Sequence, residues 1–110
     1  MKRLLYSELA TDDLKGILDY IARDKPIAAR AFVDAILGTC HLIAENPEMG
    51  MRREDLAPAL RMFTHRGYGI YYRNLDTEVM IERVLHPSLD VRRQSFGDYG
   101  DEPTDGGEDR

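Results

Sequence analysis

The chain has 110 residues, among them twenty acids, fifteen bases and a single cysteine, and its formal net charge is −5. This length allows one domain with one hydrophobic core, and a single cysteine excludes an intramolecular disulfide. Six acids and one base lie between residues 98 and 110, which leaves fourteen acids and fourteen bases before them. The main part of the chain therefore lacks the basic excess of proteins that bind nucleic acid through bulk charge.

The chain begins with a predicted strand and a predicted amphipathic helix. Residues 2 to 6 are mostly apolar and carry no helix-start signal, which favours a short strand. Ser7 can cap a helix of about four turns. Gly16 lies within that helix, where it costs roughly 1 kcal/mol relative to alanine, and the sequence offers no reason for it beyond close packing. The apolar stripe of the helix has the 3.6-residue period and consists of Ala10, Leu14, Ile17, Leu18 and Ile21.

A second, broader helix follows directly. Pro26 is tolerated in a first helical turn, and Asn46-Pro47 ends the helical pattern. Its stripe is wide enough to contact both the first helix and a sheet, which predicts an antiparallel helical hairpin. Cys40 lies in that stripe and is expected to be a buried small apolar residue rather than a reactive thiol. Residues 47 to 58 are expected to form an irregular connection.

Three apolar runs between residues 60 and 90 predict an antiparallel meander. They read LRMFTH, YGIYYR and EVMIERVLHPSLD, with Arg66-Gly67 and residues 74 to 77 between them. Neither face of the last run is apolar, which indicates either a bulge near Glu82-Arg83 or a buried ion pair. The fold class predicted is α+β in the order β-α-α-β-β-β, with the hairpin on one face of a mainly antiparallel twisted sheet. The expected core comprises Leu14, Ile17, Ile21, Phe32, Val33, Ile36, Ile70 and Val84.

The end of the chain divides into a folded part and a tail. Residues 88 to 96 are expected to form a turn of helix or a short strand. Residues 1–96 are predicted to be the folded domain and residues 97–110 a disordered acidic tail. No apolar run approaches the roughly 18 residues of a membrane span, and no signal peptide is evident, so a cytoplasmic location is expected. No metal or cofactor is expected, because the three histidines lack ligand spacing.

The cations of the meander are the candidate functional residues. Arg61, Arg73, Arg83 and His86 lie among its β-forming residues, and Arg52 precedes them. Such side chains can bind a phosphate or an acidic partner. Alternatively, Arg61 and Arg83 pair with carboxylates of the same domain, for which Glu54, Asp55, Glu82 and Asp90 are the candidates.

Several motifs resemble, in their order and spacing, the ParE/RelE superfamily of type II toxin-antitoxin systems. They read A-x-x-D-L-x-x-I-x-x-Y-I-A from residue 10, A-A-x-x-F-V-x-x-I from 28, P-x-M-G from 47, L-R-x-F from 60, Y-x-I-x-Y-R from 68 and R-V-L-H-x-x-x-D from 83. The first and last of these are more similar to the ParE-like branch. The resemblance covers residues 2 to 92 and implies a growth-inhibiting toxin. It further implies a hetero-oligomer with a ParD-like antitoxin, whose amphipathic segment lies against the helices and the sheet.

Targets differ within this superfamily. ParE-like members are associated with DNA gyrase, and here Arg52, Arg61, Arg73, Arg83 and His86 would contact the target or partner. RelE-like members cleave mRNA on the ribosome, which requires a base, an acid and cations around one phosphate. Under that alternative, Arg61, Arg83 and His86 would be catalytic.

Two departures from the RelE-like pattern favour gyrase inhibition without chemistry by the toxin. Gly69 follows Tyr68 where RelE-like sequences have a basic residue, and Pro87-Ser88-Leu89 stands where they have a tyrosine. A neutral domain is also poorly suited to docking on ribosomal RNA. We therefore expect neither strong direct nucleic-acid binding nor membrane binding.

Overall fold

The structure is a computed structural model that describes residues 1–97. The predicted acidic tail, apart from Gly97, lies outside the described residues. Two helices and five strands alternate in nearly the predicted order, followed by one turn of 3-10 helix. The elements are β1 (Arg3–Tyr6), α1 (Glu8–Ala22), α2 (Pro26–Glu45), β2 (Met51–Arg52), β3 (Leu60–His65), β4 (Tyr68–Asn74), β5 (Glu78–Leu85) and the 3-10 helix (Val91–Arg93).

The strands form one sheet in the order β1-β5-β4-β3-β2. The meander of β3, β4 and β5 is antiparallel, as predicted, and β1 joins it in parallel beside β5. The α+β class with a helical hairpin on one face is confirmed. One element was not predicted: the connection after α2 contains the two-residue strand β2, whose Met51 and Arg52 pair with Met62 and Arg61 of β3.

The helix ends follow the local sequence signals. The Ser7 hydroxyl oxygen accepts a hydrogen bond from the Ala10 amide at 3.0 Å, which caps α1. Pro26 opens α2, and Asn46 follows its last residue. With twenty residues and a mean hydropathy of 1.5, α2 is long and apolar enough to cross a membrane, contrary to the expectation from the sequence. Because one stripe of α2 is buried inside the domain, we interpret α2 as a core helix.

The main core lies between α2 and the sheet. Val33, Ile36, Ile70 and Val84 are buried, as predicted. The prediction was wrong for the other four residues, which are only half-buried: Leu14, Ile17, Ile21 and Phe32. The reason is that α1 lies at the margin of the core, and Ala10 is its one buried residue.

A bulge in β5 and a buried ion pair occur together. Tyr71 is opposite Arg83 whereas Tyr72 is opposite Ile81, so Glu82 is the additional residue of a bulge. The Glu82 carboxylate lies 3.5 Å from Nη1 of Arg73, and both side chains are buried. Both alternatives that the sequence left open are therefore correct.

The sheet face away from the helices carries a second, smaller core. Four buried residues form it, and they come from β3, β4, β5 and the segment after the 3-10 helix: Leu60, Tyr71, Leu85 and Phe96. Leu56, Ala57 and Val91 pack against them. The loop after β2 and the C-terminal segment thus cover the face that the helices leave open.

Candidate functional site

The five residues predicted to bind a target or partner do not form one site. Arg52 and His86 are exposed, Arg61 and Arg83 are half-buried, and Arg73 is buried. Arg52 lies in the edge strand β2, whereas His86 follows β5 in the interior of the sheet. Each residue therefore has to be judged from its own contacts.

Arg83 joins the sheet to α1. Its Nε and Nη2 donate to the two carboxylate oxygens of Asp13 at 2.8 and 2.9 Å, and this hydrogen-bonded pair raises the pKa of Arg83. Its Nη1 donates to the Gln94 side chain and to the Ser95 carbonyl. The ion pair expected for this arginine exists, but its partner is Asp13 rather than any of the four carboxylates suggested by the sequence.

Asp13 is available because α1 runs along an edge of β5 that no strand covers. Strand β1 ends at Tyr6, opposite Ile81. Beyond that point, the Ser7 hydroxyl donates to the Glu82 carbonyl at 2.7 Å, and the Val84 amide donates to Asp13 at 2.9 Å. Side chains of the first helix and its cap therefore satisfy the backbone groups that β1 leaves unpaired, and Arg83 belongs to this structural junction.

Arg61 holds the loop between α2 and β2. Its Nη1 donates to the Gly50 carbonyl at 2.7 Å. The Tyr72 hydroxyl donates to the Pro47 carbonyl at 2.6 Å and accepts from the Gly50 amide at 2.9 Å. A Cβ at position 50 would lie 2.5 Å from that hydroxyl oxygen, so only glycine fits. We call these four residues the loop clamp; in it, Arg61 binds backbone carbonyls instead of the expected carboxylates.

Arg73 has no exposed surface. Besides its contact with Glu82, its Nη2 donates to the Gly97 carbonyl at 3.3 Å. The prediction that Arg73 contacts a target or partner is therefore wrong, because a buried guanidinium cannot reach a bound protein. The period-two pattern places Arg73 on the same face as Tyr71, which is a signal for the side of the sheet but not for burial.

His86 lies at the rim of a cleft between α1 and the end of β5. Its Nδ1 accepts a hydrogen bond from the Ser88 amide at 3.0 Å, which assigns the proton of the neutral ring to Nε2. Its ring packs edge-on against Tyr68, with centroids 5.2 Å apart. The cleft has a volume of about 430 Å³, and α1 forms its other wall with Asp12, Gly16, Ile17 and Tyr20.

The sequence matches the model of a protein family over residues 4–91, and that family is described as ParE toxin of type II toxin-antitoxin system, parDE. The chain belongs to the ParE toxin family. It is a toxin of a type II toxin-antitoxin system, and its partner is an antitoxin. The resemblance seen in its motifs is thereby confirmed.

Two curated relatives come from Caulobacter vibrioides. Toxin ParE1 is 31% identical over 84% of this chain and 96% of its own length. Toxin ParE3 is 25% identical over 86% of this chain and 95% of its own length. A solved structure titled "Chromosomal ParDE TA system from P. aeruginosa" superposes with a TM-score of 0.68 at 23% identity, covering 78% of this chain and 96% of that one. This last likeness supports the fold.

The cleft wall on α1 is the functional surface that sequence reasoning missed in this ParE toxin. Tyr20 is 70% exposed although it is a large aromatic residue, and Gly16 interrupts a helix. Both are visible in the sequence as exceptions to the helical pattern. Their meaning depends on His86 and Leu89, which the fold brings to the opposite wall of the cleft.

Two further groups of the toxin have defined roles or exclusions. Cys40 is buried, as predicted, and burial raises the pKa of its thiol to about 11. Its hydrogen bond with Tyr6 acts in the opposite direction but is weaker. Within residues 1–97, no three histidine, cysteine or acidic side chains are grouped as metal ligands. Cys40 is therefore part of the core of the toxin.

Proposed function

We propose that this ParE toxin inhibits growth by binding DNA gyrase in the cytoplasm, breaks no bond itself, and is neutralised by a ParD-like antitoxin. Membership of the ParE family supports gyrase as the target. The observation that carries the non-enzymatic mechanism is the way in which the two arginines of the nuclease hypothesis are bound within the fold. Arg83 uses all three of its guanidinium nitrogens on Asp13, Gln94 and Ser95.

RNA cleavage requires a cation that is free to bind the phosphate beside a proton-transfer pair. Arg83 has no nitrogen left for a phosphate, and Arg61 directs Nη1 to two backbone carbonyls of the loop clamp region. His86 binds Ser88 through Nδ1. These three side chains therefore serve separate parts of the fold instead of converging on a substrate.

Gyrase inhibition requires only a surface that binds one state of the enzyme more tightly than the others. The toxin needs no reactive group for this, and its folded part needs no basic excess. Arg52 at the sheet edge and His86 at the cleft rim are exposed, and they are the predicted binding residues that remain available to a protein target.

The test compares two readouts of the free toxin, released from its antitoxin complex. We expect inhibition of supercoiling by purified gyrase or accumulation of cleaved plasmid. In induced cells, a DNA-damage response should precede any arrest of translation. Codon-spaced mRNA cuts within minutes of induction would contradict the proposal if His86→Ala abolishes them in a folded protein. His41→Ala is the matched control, because His41 is an exposed histidine on α2 outside the cleft.

A further inference from the structure

The cleft between α1 and the end of β5 has the composition of a protein-binding groove. Its walls are mainly apolar and include Ile17, Tyr20, Tyr68 and Leu89. Tyr20 is 70% exposed and Leu89 is 47% exposed. Large apolar side chains around one concave surface commonly mark a contact with another protein.

Gly16 provides open space at this groove. No atom outside its local helix lies within 4 Å of the position that a Cβ would occupy. Close packing within the chain therefore does not explain the glycine, although glycine weakens a helix relative to alanine. A side chain from another molecule can approach the α1 backbone closely at this point.

The charge at the groove indicates the chemistry of that molecule. Asp12 is exposed at the rim, and in the part of the chain that the structure describes it forms no ion pair. The neighbouring Asp13 is neutralised by Arg83. A carboxylate next to the rings of Tyr20 and Tyr68 suits a lysine or arginine, which can combine an ion pair with a cation-π contact. The groove is thus complementary to an apolar side chain that has a base near it.

We propose that this groove is where the antitoxin anchors. An aliphatic side chain of its neutralising segment packs over Gly16 between Tyr20 and Leu89, and a lysine or arginine about one helical turn away binds Asp12. Asp12 and Gly16 are themselves four residues apart on α1, which matches that spacing. The inference rests on the antitoxin pairing in the proposed function and is independent of gyrase as the target.

The first test fills the groove. The probe is the purified cognate antitoxin, and its affinity is measured for the wild-type toxin, Gly16→Leu and Gly38→Leu. Gly38 is a matched control, because it also lies within a helix, would carry a Cβ with no atom within 4 Å beyond its local helix, and is absent from the groove. We expect Gly16→Leu to weaken binding by about 30-fold and Gly38→Leu by less than about 3-fold. Equal losses, or no loss in Gly16→Leu, would overturn the proposal.

The second test uses charge. Asp12→Lys should weaken binding by about 10-fold, and replacing the matching antitoxin base with glutamate should restore it. Asp19→Lys makes the same change on α1 outside the groove lining and should have little effect. Equal effects of both substitutions, with no antitoxin variant that restores binding to Asp12→Lys, would overturn the proposal.

Two controls separate this inference from other failures. Thermal unfolding of each variant shows whether the toxin remains folded. Gyrase inhibition by the free toxin is measured in parallel. If gyrase is not inhibited but the groove variants still lose antitoxin affinity, the target is wrong and the groove is right; the opposite result refutes the groove alone.

Discussion

The two faces of the sheet are stabilised by different interactions. The helix-covered face has an apolar core that includes Ile36, Cys40 and Ile70. The opposite face has four buried apolar residues around the Arg73–Glu82 ion pair, closed by the C-terminal segment. Burial of apolar surface stabilises the first face directly, whereas a buried ion pair contributes only when both partners are present. The two faces should therefore respond differently to the loss of a single side chain.

The largest effect is expected at the ion pair. Arg73→Met removes the buried guanidinium and should lower the free energy of unfolding by about 3–5 kcal/mol, since the Glu82 carboxylate then stays buried without this cation. Urea denaturation measures the loss. The double variant Arg73→Met with Glu82→Met is the control and should recover most of it, because neither charge remains. A double variant as unstable as the single one would show that packing, rather than charge, dominates this face.

On the helix-covered face, Ile36→Ala should lower the free energy of unfolding by about 3 kcal/mol, because it removes buried methyl groups and leaves a cavity. Ile36 is fully buried, whereas Ile27 on the same helix is 87% exposed. Ile27→Ala should therefore change stability by less than about 0.5 kcal/mol. The same denaturation measurement applies, and similar losses in both variants would contradict the assignment of this core.

The helix-covered face should also make stability depend on alkaline pH. Burial raises the pKa of Cys40 from 9.0 to about 11 and also raises that of Tyr6. The unfolded chain therefore loses the thiol proton at a lower pH than the folded chain does. The contribution of Cys40 is fully present below pH 9 and is lost as the pH rises toward 11, by about 2 kcal/mol. Denaturation between pH 7 and 11 should show a shallower decline in Cys40→Ala, and parallel curves would contradict this prediction.

The smallest effect is expected where the C-terminal segment closes the opposite face. Phe96 packs against Tyr71 with ring centroids 5.2 Å apart. Phe96→Leu keeps an apolar side chain but loses the ring contact, so stability should fall by about 1 kcal/mol. Leu89→Ala, at a residue that is 47% exposed, should have a smaller effect in thermal unfolding. A larger loss in Leu89→Ala would show that the segment is held at the groove rather than by Phe96.

Local patterns in the sequence predicted the helices, the meander and the helix cap. The 3.6-residue and two-residue periods depend on residues close together in the chain, as do the signals at Ser7 and Pro26. The burial of α1 was overestimated, since periodicity identifies the apolar side of a helix but not how deeply that side is covered. The two-residue strand β2 is too short to show any period.

The contacts of the candidate residues were much harder to predict. Arg83 and Asp13 are 70 positions apart, and only the path of α1 along β5 selects that carboxylate among many. Arg61 binds backbone carbonyls, which every residue possesses and which therefore leave no trace in the sequence. The bulge at Glu82 was indicated by the pattern of β5, yet the pairing with Arg73 depends on the register with β4.

The loop clamp has a consequence for the way in which such toxins diversify. Three of its residues, Pro47, Gly50 and Arg61, belong to the motifs by which this chain resembles its superfamily, and all three hold a loop in place. These signature positions record how the protein folds and do not specify what it poisons. Two toxins with the same signature can therefore attack different molecules, and a surface can be exchanged between them without disturbing the residues that identify the family.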